Sequence, residues 1–92
     1  MVRVRCLAAL RRVIEGRHEV SIPGVGTVEE ALAALHRRYG DAFAKRVLDD
    51  SGRLRRYIAI HVNGKDIRLL QGLSTKVDED DEISLMPIVA GG

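Results

Sequence analysis

Thr27-Val28-Glu29-Glu30-Ala31-Leu32-Ala33-Ala34-Leu35-His36-Arg37-Arg38-Tyr39-Gly40 decides the fold of this chain. Val28, Ala31, Leu32 and Leu35 recur at helical spacing, and Tyr39 continues the stripe. Thr27 and Glu30 form a capping box, in which two side chains answer free backbone donors at a helix start. Glu29 and Glu30 lead while Arg37 and Arg38 follow, the polarity that the helix dipole favours. Gly40 is a natural stop. An amphipathic helix must lay its stripe on a second layer, and the segments on either side of it alternate as strands do.

Upstream, residues 2–9 place Val2, Val4, Cys6 and Ala8 on one face and Arg3, Arg5, Leu7 and Ala9 on the other, a half-buried first strand. Arg11 to Arg17 reads as a polar turn around Glu15-Gly16, and His18 to Ile22 as the returning strand of a hairpin. Pro23-Gly24-Val25-Gly26 breaks the sheet. Gly24 and Gly26 do not make a phosphate loop, because Glu29 stands where a third glycine is needed and no Lys-Ser or Lys-Thr pair follows.

Downstream, Ala42, Phe43, Val47 and Leu48 give Asp41–Leu48 a helical pattern, closed by Asp49-Asp50-Ser51-Gly52. Arg56–Val62 is a strand with Ile58, Ile60 and Val62 inward and Tyr57, Ala59 and His61 outward. Asn63-Gly64 tolerates the positive φ of a type I′ turn and so predicts a hairpin into a short strand, Lys65–Arg68. Leu69 to Leu73 is an apolar connection. Glu82–Met86 alternates as the last strand, and Pro87, which has no N–H, is expected to end its ladder.

Hairpin, helix, short helix and three further strands make an α+β domain: a β-grasp (ubiquitin-like) mixed sheet packed on one main helix, with a short second helix. The domain is expected to occupy residues 1–87. Residues 88–92 then leave as a flexible tail, roughly 16 Å long when extended. Gly91 and Gly92 lack Cβ and can pass where no other residue fits. The pattern therefore reads as a carboxylate on a thin stalk.

Composition narrows the function classes. A chain of 92 residues folds alone but has little room for a deep catalytic cavity. Aromatics are only 3%, which counts against a base-stacking module, and a diffuse net charge of +2 counts against nucleic acid. The acids gather instead in Asp78-Glu79-Asp80-Asp81-Glu82, read as a solvated face. One cysteine, Cys6, allows no internal disulfide and sits in a strand pattern as a small core residue. With no signal peptide and no long apolar run, the expected location is cytoplasmic, without a membrane partner. His18, His36 and His61 fall in three separate elements with no close acid or cysteine, so they read as surface or strand histidines rather than catalysts. No metal-ligand spacing appears. Alternation also turns Leu7, Tyr57, His61, Ser84 and Met86 away from the helix, with Ile88 beside them, a mixed patch suited to docking.

Tyr57-Ile58-Ala59-Ile60-His61-Val62-Asn63-Gly64-Lys65-Asp66-Ile67-Arg68, then Gly72-Leu73-Ser74-Thr75, then Asp81 through Met86-Pro87-Ile88-Val89-Ala90-Gly91-Gly92, resembles the MoaD/ThiS sulfur-carrier family. The likeness is densest over the last forty residues or so. It implies a carrier or small non-catalytic subunit rather than a stand-alone enzyme. The partner would be an adenylyltransferase similar to ubiquitin-activating enzymes. That enzyme spends ATP to adenylate Gly92, and sulfur delivery then makes a C-terminal thiocarboxylate. No permanently bound cofactor is implied. Gly91 is the slender neighbour of the reacting residue, and Leu7, Tyr57, His61, Met86, Ile88, Val89 and Ala90 are the expected partner-binding residues.

The acceptor implied first is molybdopterin synthesis, with the chain as small subunit beside the large subunit of molybdopterin synthase. Sulfur transfer to cysteine, thiazole or tRNA, or conjugation of Gly92 to lysines as a ubiquitin-like modifier, are the alternatives. The insert at Ala42–Leu48 is similar to the molybdopterin and cysteine types. The Val62-Asn63, Asp66-Ile67-Arg68, Gly72-Leu73 and Thr75 pattern also resembles the cysteine-synthesis carrier.

Overall fold

In a computed structural model, described here for residues 1–88, the five strands form one mixed sheet. They are β1 (Val2–Cys6), β2 (Glu19–Ile22), β3 (Ile58–Val62), β4 (Lys65–Asp66) and β5 (Glu82–Pro87). Their order is β2-β1-β5-β3-β4. β5 runs parallel to β1, and every other pairing is antiparallel. Helix α1 (Val28–Tyr39) and the shorter α2 (Asp41–Val47) follow the first hairpin.

Alternation decides the layers. Val2, Val4, Cys6, Val20, Ile22, Ile58, Ile60, Ile83 and Leu85 are buried, and they join Val28, Ala31, Leu32 and Leu35 of α1 in one core. Removing such a buried leucine costs about 2–5 kcal/mol, so this face is the main determinant of stability. α2 adds Phe43 and Val47, both fully buried.

The cap of α1 differs in one half from the expected box. Glu30 N–H donates to Thr27 Oγ1 at 3.1 Å, as predicted, but the Glu30 carboxylate accepts from Gly26 N–H at 2.8 Å rather than from Thr27. The bridge between Thr27 and Lys76 anchors the chain on either side, with Val77 N–H donating to the Gly26 carbonyl and Val28 N–H to the Thr75 carbonyl, both at 3.0 Å, and the amide of the anchored Gly26 meets the glutamate. Gly40, at φ +70°, ends the helix with its amide on the His36 carbonyl.

The first hairpin is not closed by a polar turn. β1 stops at Cys6, and Ala8–Ile14 winds into a 3-10 helix that buries Leu10, Val13 and Ile14. Ala8, expected on the inner face of a longer strand, is exposed at φ +53° where the chain turns. Leu10, Val13 and Ile14 stand at i, i+3 and i+4, and this second apolar stripe closes the end of the core beside α2. The β3–β4 hairpin does form on Asn63 (φ +50°) and Gly64 (φ +86°), the type I′ signs. β4 is shorter than predicted, because Asp66 accepts from the Arg68 amide at 2.8 Å and starts a further 3-10 turn, Ile67–Leu69.

Pro87 does not end the ladder. It pairs with Ile58 inside β5, and the next amide, Ile88 N–H, donates to the Tyr57 carbonyl at 2.6 Å. The register explains this. Ile58 and Pro87 face each other at a non-hydrogen-bonded position, so the missing proline donor points toward β1, which has already turned away.

Candidate functional site

Three rows of side chains cross the outer face of the sheet, and the strand register defines them. The first is polar: Arg3 lies beside Ser21 and Glu82. The second joins Glu19, Arg5, Ser84, His61 and Asp66 across all five strands. The third is apolar, with Met86 opposite Ala59, and Leu7 continuing the β1 register beside Met86. Leu7 is held there by its amide, which donates to the Leu85 carbonyl at 2.9 Å. Beyond this row lie Tyr57 and Ile88, joined through their backbones and 50% and 41% exposed.

The outer face is therefore divided. Its polar half surrounds the start of β5, and its apolar half surrounds the end. Leu7, Tyr57, Met86 and Ile88, expected in one docking patch, come together with Ala59. Ala59 is the small residue that lets the larger side chains meet around it. His61 falls one row away, in the polar half. Val89, Ala90, Gly91 and Gly92 lie outside the described residues.

His61 also departs from its sequence reading as a histidine without a nearby acid. Its Nε2 stands 3.8 Å from Asp66 Oδ2, because a two-residue hairpin with Val62 opposite Lys65 sets 61 across from 66. Ser84 occupies the facing position on β5, so a serine, a histidine and an aspartate stand in line. They do not form a nucleophilic triad. The Asp66 carboxylate already accepts three bonds from the Arg68 side chain, the shortest 2.7 Å, and these hold its pKa down to about 2. No hydrogen bond joins Ser84 to His61 among the described residues, and the row is an open surface rather than a cleft.

At the other end of β5 the acidic run is partly structural. Asp81 accepts from the Asp78 amide at 2.8 Å and from Asn63 Nδ2 at 3.0 Å, and the first of these does most to lower its pKa. Asn63 in turn accepts from Glu82 N–H at 2.9 Å. One residue thus makes the β3–β4 turn and clasps the start of the tail-bearing strand. Among the described residues no cluster of histidine, cysteine and carboxylate groups could hold a metal. No helix there is long and apolar enough to cross a membrane.

A last strand that ends beside an apolar patch, with Gly91-Gly92 following in the sequence, fits one family closely. The ThiS family model matches residues 4–92. The chain belongs to the ThiS family. Sulfur carrier protein CysO of Mycobacterium tuberculosis is 33% identical over 93 aligned positions, covering 99% of this chain and 98% of that protein. Small archaeal modifier protein 3 of Haloferax volcanii is 30% identical over the same shares of the two chains. Among solved structures, the Amycolatopsis orientalis BexX/CysO complex contains a chain that superposes with a TM-score of 0.85 at 30% identity, each chain being covered in full. This ThiS-family chain is a ubiquitin-like sulfur carrier by family, and its β-grasp fold is the one expected from sequence.

Proposed function

We propose that the chain carries sulfur as a thiocarboxylate on Gly92 and delivers it to a biosynthetic acceptor. A carboxylate resists nucleophiles. Transfer of AMP from ATP onto the Gly92 carboxylate releases pyrophosphate and leaves an acyl-adenylate. Sulfide then attacks the acyl carbon, the C–S bond forms as the C–O bond to AMP breaks, and the thiocarboxylate results. The domain supplies no acid or base for these steps. It supplies a recognisable face and a narrow tail, and orientation comes from the partner's site.

The observation that carries this reading is the match to CysO along nearly the whole chain, beside a family match that runs through Gly91-Gly92. It favours an acceptor of the cysteine-synthesis type over the molybdopterin acceptor expected first. The BexX/CysO complex supports a partner enzyme that docks directly on such a carrier. The likeness to a small archaeal modifier protein supports a second reading, in which the same adenylate passes Gly92 to a lysine.

Intact mass separates these readings. Wild type and a form lacking Gly92 are incubated with extract of the source organism, ATP and sulfide. A gain of one oxygen-to-sulfur exchange in wild type alone is expected. A ladder of heavier conjugates would favour the modifier. An unchanged mass, with activating enzyme demonstrably active, would sink both.

A further inference from the structure

At the foot of β5 an open cleft is walled by Ala9 and Leu10 of the first 3-10 helix, Lys45 and Arg46 of α2, Tyr57 and Pro87. Its floor is apolar, and among the described residues its only charged side chains are two cations. Ala9 also borders the neighbouring depression that holds Arg11 and Arg12. The two adjoining hollows thus carry four cations, and among the described residues no carboxylate lines either. None of the four forms an ion pair among the described residues. Asp49 and Asp50 share the next depression with Lys45, but neither forms an ion pair with it among the described residues, and the Asp49 carboxylate accepts from the amides of Ser51 and Arg53.

The densest run of acids, Asp78-Glu79-Asp80-Asp81-Glu82, lies away from this site. That run stands at the start of β5, and the six residues of the strand (Glu82–Pro87) separate it from the cleft by roughly 17 Å. A separation of that size is about two Debye lengths at physiological salt, so the run is largely screened from the cleft. Tyr57 belongs both to the cleft and to the apolar outer patch, which makes the two surfaces continuous around the tail. The structure supplies cations and an apolar floor; the complement is a partner segment with carboxylates at the mouth of a tail-binding channel.

We infer that the Lys45/Arg46 cleft docks an acidic lip of the enzyme that takes in the tail. The inference rests on the carrier reading above and adds the chemistry of the partner surface. Apolar contact through Met86 and Tyr57 gives the complex its lifetime, and the basic cleft gives it encounter rate and orientation.

The test is the initial rate of oxygen-to-sulfur mass gain in source extract with ATP and sulfide, at low and at high salt. Lys45→Glu/Arg46→Glu is expected to slow the exchange about tenfold at low salt. The gap should narrow to about twofold at about 0.5 M salt, where screening removes the steering term. Lys45→Arg/Arg46→Lys should keep the wild-type rate. Lys65→Glu/Lys76→Glu, which changes net charge equally at sites away from the cleft, should stay near wild type. Thermal melts establish that each variant is folded; if the reversal variant is not, Lys45→Gln/Arg46→Gln takes its place with a smaller expected slowing. A cleft variant that loads sulfur at the wild-type rate, or a control slowed as much as the cleft variant, overturns the inference and leaves the carrier reading standing. Wild type that gains no sulfur overturns the carrier reading, and the docking inference with it.

Discussion

The amide of Ile88 donates to the carbonyl of Tyr57 across 2.6 Å, so β5 stays tied to β3 one residue past Pro87. This bond places Ile88 at the corner between the apolar outer patch and the basic cleft. Ile88→Pro removes the donor and leaves the extended backbone at Pro87 acceptable. Because the Tyr57 carbonyl lies at the sheet's end, water can replace the lost partner, and the cost should stay at about 0.5–1.5 kcal/mol. Urea denaturation with an unchanged slope and a lower midpoint is the expected result. A midpoint equal to wild type would mean that the last pair frays in solution.

Met86 and Leu85 are neighbours with opposite duties. Leu85 is fully buried under α1, while Met86 is half-buried on the outer face beside Leu7 and Ala59. Met86→Arg should change stability by no more than about 0.5 kcal/mol, as surface changes do, yet slow sulfur loading by the activating enzyme. Leu85→Arg places an unpaired charge in the core and should not yield a folded domain. Circular dichroism and the loading rate, measured on both variants, check the assignment of faces. Loss of structure in the Met86 variant would show the faces to be reversed.

Much of this architecture was legible because several local rules agree. α1 carries its apolar stripe, its cap and its stop within one stretch, and only the partner of the Glu30 carboxylate came out differently. Asn63-Gly64 fixed the second hairpin because two adjacent positive φ angles admit few other residues. The 3-10 helix at Ala8–Ile14 was missed for a physical reason. Arg11-Arg12 interrupts the strand alternation and reads as a turn, whereas Leu10, Val13 and Ile14 state a helical period over only five positions. So short a stripe is recognised once its packing partners beside α2 are known. The 3-10 turn at Ile67–Leu69 was hidden likewise, since it depends on one side-chain bond from Asp66 to the Arg68 amide.

The His61–Asp66 contact, by contrast, was available in the sequence, since a two-residue hairpin dictates which residues face each other. It carries a pH prediction. Bonds from the Arg68 side chain, before any other cause, hold Asp66 down to about 2 from 3.8. A depressed carboxyl pKa contributes stability that is fully present above the unfolded value and is lost as pH falls through the folded one. The stability difference between wild type and Arg68→Ala should therefore be constant above about pH 4 and shrink between pH 4 and about 2. Thermal melts across that window test it. A difference that persists at the acid end would show that Arg68 acts by packing rather than through Asp66.

Cys6 gives the opposite sign. It lies fully buried on β1 beneath α1, and burial pushes its thiol from 9.0 up to about 11. Below about pH 8 the thiol is neutral in both folded and unfolded chains, so it adds no pH dependence there. As pH rises toward 11 the unfolded chain ionises its thiol while the folded one retains the proton, and stability falls. Wild type should accordingly lose stability relative to Cys6→Ala over that window, in urea titrations at stepped pH. The same burial predicts negligible alkylation of native protein at neutral pH and full alkylation in denaturant. Rapid labelling of the native state would mean that β1 opens at its Cys6 end, beside the turn at Ala8.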